Sequence, residues 1–320
     1  MTHALLPSAA SPQRPSSTPR ARAAAVRRAR ALATVSVLLA VWIALGWLPG
    51  QVGALVAASL PWVGIAIVGV VVASAVLARR TTVIALAVLV LWLVAMAPAL
   101  PALPGPAAET SLTVASQNVR ADSDAAGDSA AGLAATGADV VAMVELAAAS
   151  RSAAAAVLDA QYPHSYHVGT VSLWSAYPIT DAEPLELGLG WKRALRATVQ
   201  TPGGDVRVYL MHAASLRPGE QSARDTMLTG IADEMRADGA ERMIAVGDFN
   251  AASTDPALAD LRDVADQVRP TDGSLGMTWP ATFPLVRIDQ VFQHGMSVLS
   301  STTLPVGASD HRATLTTVGF

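Results

Sequence analysis

Two stretches without a single charged side chain, Ala31 to Ala78 and Thr81 to Ala108, limit this 320-residue chain more than any other feature. A soluble domain has no means of burying such runs, whereas a helix of about 20 apolar residues spans the hydrocarbon layer of a bilayer. The first stretch accommodates two spans, near Ala31 to Leu48 and Leu55 to Ala78, separated by the turn-forming Leu48-Pro49-Gly50-Gln51. Thr81 to about Leu100 supplies a third. A cleavable signal peptide would account for the first run alone. Two further runs of membrane length close behind it point instead to three transmembrane helices within residues 31–100.

The charged residues orient that anchor. Residues 1–30 are rich in Pro, Ser, Ala and Arg and end in Arg27, Arg28 and Arg30, the composition of a disordered basic tail. Arg79 and Arg80 separate the second and third spans. Basic segments beside spans stay in the cytoplasm, so the tail is expected inside a bacterial cell and everything after the third span outside its membrane. Ala97 to Pro106, with Pro98, Pro101, Pro104 and Pro106, then reads as a short stiff linker, assigned to 101–108, that holds the next domain near the bilayer. That domain, 109–320, contains all 25 acidic residues and only 14 of the 22 basic ones, a formal charge of −11. Such a balance is unlike a polyanion binder, which makes nucleic acid the less expected substrate. With no cysteine, thiol catalysis and thiolate metal sites are excluded, leaving oxygen ligands with histidine in support.

Beyond Glu109 the texture alternates between short strands and helices. Strands are expected at 111–120, 138–144, 164–168, 171–175, 193–200, 206–211, 243–246, 287–292, 298–303 and 313–318, with helices at 128–136, 147–160 and 220–237. This intercalation predicts two packed β-sheets flanked by helices, a four-layer α/β sandwich preceded by three transmembrane helices. Strand after strand ends in a polar residue. Met243 to Val246 is an apolar run that stops at Gly247 and then offers Asp248 and Asn250, two residues apart and on one side of an extended chain. A carboxylate and an amide oxygen suit a hard cation that shares its shell with phosphate oxygens, although Asp-Phe-Asn-Ala could equally close an Asx turn. Asn118, Glu145, His212, Asp289, and Asp310 with His311 occupy similar strand ends. Phosphate-ester chemistry needs a cation for developing charge, a base for water and an acid for the leaving oxygen, and this set can supply all three.

The segments Ser116-Gln-Asn-Val, Asp139 to Glu145, His212, Gly247-Asp-Phe-Asn250, Arg287-Ile-Asp289 and Ser309-Asp-His311 together resemble the endonuclease/exonuclease/phosphatase superfamily, in composition and in order. The resemblance covers about Ser111 to Val318 and implies a Mg²⁺-dependent phosphatase or phosphodiesterase, with Mn²⁺ as the alternative ion. It implies that Glu145 is the principal metal ligand, helped by Asn118 and Asp310. Asp248 and Asn250 would position water or bind metal and phosphate, and His311, oriented by Asp289, would serve acid/base chemistry. His212 resembles the second histidine of the deoxyribonuclease-like branch, where a glutamate supports it. The stretch Gly169 to Ser175 has no carboxylate, so phosphate binding stands beside the acid role.

Substrate does not follow from fold. Three amino-terminal spans with an outward-facing domain of this kind resemble bacterial membrane proteins linked to teicoplanin resistance, thought to dephosphorylate undecaprenyl pyrophosphate outside the membrane. That resemblance implies a lipid-linked phosphate or pyrophosphate substrate, presented at high effective concentration by the anchor. An extracytoplasmic nuclease, a sphingomyelinase-like phosphodiesterase and a catalytically dead sensor are the alternatives, and no protein partner is evident. Lys192, Arg193, Arg196 and Arg287 are candidates for a basic cleft despite the acidic whole.

Overall fold

The computed structural model describes residues 18–121, 126–217 and 221–320. Three helices lead the chain: α1 (Pro19–Leu45), α2 (Gln51–Leu77) and α3 (Thr82–Met96), joined by a 3-10 turn at Arg79–Thr81 between the last two. All three, with that turn counted into the third, are long and apolar enough to cross a membrane. The start of α1 corrects one expectation. The helix begins at Pro19 rather than near Ala31, because Thr18 accepts the Ala21 amide at 3.4 Å, Pro19 suits the first turn, and Ala and Arg are strong helix formers. Arg20 to Arg30 are therefore helical; the remainder of the proposed tail, 1–17, lies outside the described residues.

Within the bundle the indoles cross-link the helices. Trp42 donates to Ser59 at 3.0 Å, and Trp92 donates to the Leu60 carbonyl at 2.7 Å. Trp92 lies so close over Gly64 that a β-carbon there would meet its ring at 2.4 Å. Pro61 sits inside α2, where it lacks the amide that would bond the Ala57 carbonyl four residues earlier. A carbonyl freed in this way needs a donor in an apolar medium. Thr254 of the following domain provides one, its hydroxyl donating to Ala57 O at 3.1 Å.

That domain holds β1 (Ser111–Asn118), α4 (Ala126–Ala134), β2 (Val140–Val144), α5 (Ala148–Leu158), β3 (His164–Val168), β4 (Val171–Ser175), β5 (Ile179–Leu185), β6 (Ala194–Thr201), β7 (Gly204–His212), α6 (Gln221–Ala237), β8 (Met243–Asp248), α7 (Ala259–Arg262), β9 (Asp266–Gln267), β10 (Asp289–His294), β11 (Ser297–Leu304) and β12 (Ala313–Gly319). They form two six-stranded sheets, ordered β11-β12-β1-β2-β4-β3 and β5-β6-β7-β8-β10-β9. Alternation along each strand builds the layers. Val140, Ala142 and Val144 face Val208, Leu210, Ile244 and Val246 in the interior between the sheets. Their neighbours Val141 and Met143 pack under α4 and α5, while Tyr209, Met211 and Ala245 pack under α6. This is the expected four-layer sandwich.

The central strands place the site. β1 pairs in parallel with β2, β7 pairs in parallel with β8, and β8 pairs antiparallel with β10 so that Asp248 stands opposite Asp289. Gly247 permits the close approach of β8 to β7: its φ is +131°, and a β-carbon there would sit 2.0 Å from the Met211 carbonyl oxygen. The linker lies on the domain instead of standing free, with the Ala102 and Gly105 amides donating to Pro270 O and Val298 O at 2.8 and 2.7 Å.

Candidate active site

The carboxyl ends of β1, β2, β7 and β8 bring Asn118, Glu145, His212 and Asp248 together. The Asn118 amide donates to Glu145 Oε1 at 3.1 Å and to Asp248 Oδ2 at 3.0 Å. Glu145, just past β2, has φ +64°, and Asn250 has φ +48°; both are held in the left-handed region at the end of a strand. Backbone strain of this kind persists where surrounding contacts enforce it, and it clusters at functional sites. For Glu145 the enforcing contact is the Ala121 amide, which donates to Oε2 at 2.9 Å. For Asn250 it is the Asx turn anticipated from the sequence: its amide donates to Asp248 Oδ1 at 2.8 Å and its side chain to Ala213 O at 3.0 Å. The turn and the site are the same feature.

His311 and Asp289 form the second half. His311 Nδ1 lies 2.8 Å from Asp289 Oδ2, and both residues are buried. Burial works to lower the imidazole pKa, but the carboxylates of Asp289, Asp248 and Asp310 outweigh it and raise the group to about 10. His311 therefore carries its proton through the neutral range. Burial together with Asp289 raises Asp248 to about 7. His212 goes the other way: burial, then the charges of Arg193 and His311, hold its pKa well below the usual value. It is a neutral ring, with Nε2 3.2 Å from Glu145 Oε1 and 2.7 Å from Arg193 Nη2.

Two further contacts support the site. Thr278 Oγ1 accepts the Ile288 and Asp289 amides at 3.1 and 3.2 Å, and Ser309 links the Asn118 carbonyl at 2.5 Å to the His311 amide at 3.0 Å. Ser309 was signalled by its place in Ser-Asp-His; a loop threonine such as Thr278 carries no local mark. The expected basic cleft is also corrected, since only Arg193 of the four reaches the site. Lys192 pairs with Glu186, Arg196 with Glu183 and Glu234, and Arg287 is buried with Nε toward Asp289 O at 3.4 Å. Arg217 instead joins Arg193 in a cavity of about 670 Å³ that also touches Glu145 and His212. Trp191 is at that cavity too, with the Arg193 guanidinium 4.7 Å over its ring.

The profile of the Endonuclease/Exonuclease/phosphatase family matches residues 115–311, more than half the chain and both ends of the site. This chain belongs to that family. Among solved structures it is similar to Danio rerio TDP2 complexed with a single-strand DNA product (18% identity, TM-score 0.56, covering 66% of this chain and 100% of that one). It is similar also to truncated Caenorhabditis elegans TDP2 (14%, 0.57, 66% and 98%) and to Staphylococcus aureus beta toxin (16%, 0.52, 64% and 99%). These likenesses carry the fold. No curated protein sequence matches.

Family members are metal-dependent phosphoesterases, and the donors here fit a divalent cation. Ligand atoms of Glu145, His212 and Asp248 lie within 4.8 Å of one another, as do those of Asp248, Asp289 and His311. Buried carboxylate oxygens Asp289 Oδ1 and Asp310 Oδ1 have no hydrogen-bond partner among the described residues, the condition an ion or substrate group would relieve. Of the three expected ligands, Glu145 is at the centre and Asn118 touches it, whereas Asp310 belongs to neither cluster. When bound, the ion supplies charge neutralisation at phosphate oxygens. A carboxyl that titrates near 7 must lose its proton to ligate, so Mg²⁺ affinity should rise by about tenfold from about pH 6 to about pH 8. Calorimetric titration of the full chain checks this, and a pH-independent affinity would exclude Asp248 from the ligand set.

Proposed function

We propose that this protein is a membrane-anchored, metal-dependent phosphohydrolase acting outside the cytoplasmic membrane on a lipid-linked phosphate, most readily a lipid pyrophosphate such as undecaprenyl pyrophosphate. The observation that carries the reading is the seating of the catalytic domain on α2. Thr254 satisfies the carbonyl that Pro61 frees, and the Trp62 indole donates to Leu285 O at 2.9 Å, only four residues before Asp289. An enzyme for a soluble ester gains nothing from such a contact, whereas a headgroup hydrolase gains permanent proximity to its substrate.

Side-chain chemistry supports the same reading. Arg193 and Arg217 form a cationic pocket beside Glu145 and His212, and guanidinium groups recognise phosphate oxygens in bidentate fashion. Asn250 and Asp248 position the attacking water at one side of the cluster, and His311 holds a proton for the leaving oxygen. The −11 charge of residues 109–320 disfavours DNA.

The arginines support this orientation: Arg20 to Arg30 and Arg79 with Arg80 are at one end of the bundle, and the domain is attached at the other. An alkaline phosphatase fusion at Phe320 should be active and a cytoplasm-only fluorescent reporter there dark. The reverse pattern would remove every extracytoplasmic lipid from consideration.

A further inference from the structure

Besides the cationic pocket, the catalytic cluster opens into a second cavity of about 400 Å³. Glu145, Asp248 and His311 line one part of it, and Ala54 and Ala58 of α2 line another. A membrane helix is thus a wall of the active site. Ser215, Arg224, Asn250 and Asp255 make much of the remaining lining polar, while Leu216, Trp279, Val286 and Ile288 give the cavity an apolar side. The chain segment that carries two of these continues in the same character. Its backbone doubles back between Trp279 and Val286, and Phe283 and Leu285 between them are 69% and 37% exposed. Leu285 is also the residue held by Trp62 of α2. Apolar side chains therefore line the same cavity as the reacting carboxylates and the two alanines of α2, and the strip they belong to meets that helix again at Trp62.

We propose that this lane carries the isoprenoid chain of the substrate from the bilayer into the site, and that Ala54 and Ala58 set its width. The proposal rests on the reading of the substrate as a lipid phosphate, and deepens it by naming which residues recognise the lipid part. Small side chains on α2 leave the lane open where larger ones would close it. A cavity of this size encloses a headgroup with the first carbons of a chain, so the rest of a long chain stays in the membrane. Binding energy from the chain then contributes to the reaction at the far end, and a truncated substrate loses that contribution.

The test is a chain-length comparison on the full chain in detergent, with a long-chain polyprenyl pyrophosphate and isopentenyl pyrophosphate as the two substrates. Both carry the same headgroup. In Ala58→Trp the ratio of long-chain to short-chain kcat/KM should fall by on the order of tenfold. Ala58→Leu, which adds less volume, should move the ratio in the same direction if the tryptophan variant does not fold. A fall shared equally by both substrates, or an unchanged ratio in a folded variant, would overturn the lane. Photolabelling with a diazirine-bearing polyprenyl phosphate separates this outcome from failure of the substrate reading. Label on α2 and on 279–288 without any turnover would keep the lane and reject the reaction, and label confined to other surfaces would reject the lane.

Discussion

Replacing Glu145 with alanine should lower hydrolysis by on the order of 10²-fold or more, and Asp248→Ala should do the same, because each removes preorganised charge from the place where phosphate charge develops. Excess EDTA should abolish the reaction and Mg²⁺ restore it. The structure gives these two residues more than a shared neighbourhood. Asn118 bridges them at 3.1 and 3.0 Å, and His212 approaches both, so loss of either carboxylate leaves buried polar atoms of the other partners unmatched. Their effects should therefore be far from additive, with the double variant little worse than either single one. Rates measured for the three variants and the parent at saturating metal decide the matter; a near-normal Glu145→Ala rate, or full activity in EDTA, would show that the site is misassigned.

The two histidines should separate just as sharply. His311 is paired with Asp289 and raised to about 10, so a reaction that needs its proton holds its rate through neutrality and loses it as pH rises through that value. In His311→Ala turnover should collapse and the alkaline limb should vanish. His212 has its pKa held well below the usual range and is faced by Arg193. His212→Asn keeps a hydrogen-bonding group, so it should retain appreciable kcat and show its loss largely in KM. Parallel pH profiles of the two variants on one substrate provide the check. An intact alkaline limb in His311→Ala would sink the assigned role, and a collapse of kcat in His212→Asn would make that ring the acid.

The strand ends were legible in the sequence because an apolar run that stops at a polar residue is a local signal. Val140 to Val144 followed by Glu145, and Met243 to Val246 followed by Gly247 and Asp248, needed no tertiary knowledge. Strand β5 was illegible for the converse reason: Asp181, Glu183 and Pro184 interrupt its pattern, which a bulged edge strand tolerates. The amino-terminal arginines looked like a disordered tail because their composition hides helix propensity that Thr18 and Pro19 release. Arg287 looked like a cleft cation and is a buried one, since neither burial nor partner is written in a single position. Least legible was the seating on α2. Ala57 to Thr254 and Trp62 to Leu285 are contacts between distant parts of the chain, and Pro61 inside a long apolar helix gives only the hint that a carbonyl there needs a donor.

The proposed substrate is a membrane lipid phosphate. The most direct measurement is phosphate release by the full-length chain with Mg²⁺ from a polyprenyl pyrophosphate in detergent, run beside plasmid DNA cleavage and sphingomyelin hydrolysis. A lipid pyrophosphate hydrolase should show a kcat/KM on that substrate higher by at least about tenfold than on either competitor, the scale of discrimination a few pocket contacts provide. Nicked plasmid or released phosphocholine, with no phosphate from the lipid, would contradict it.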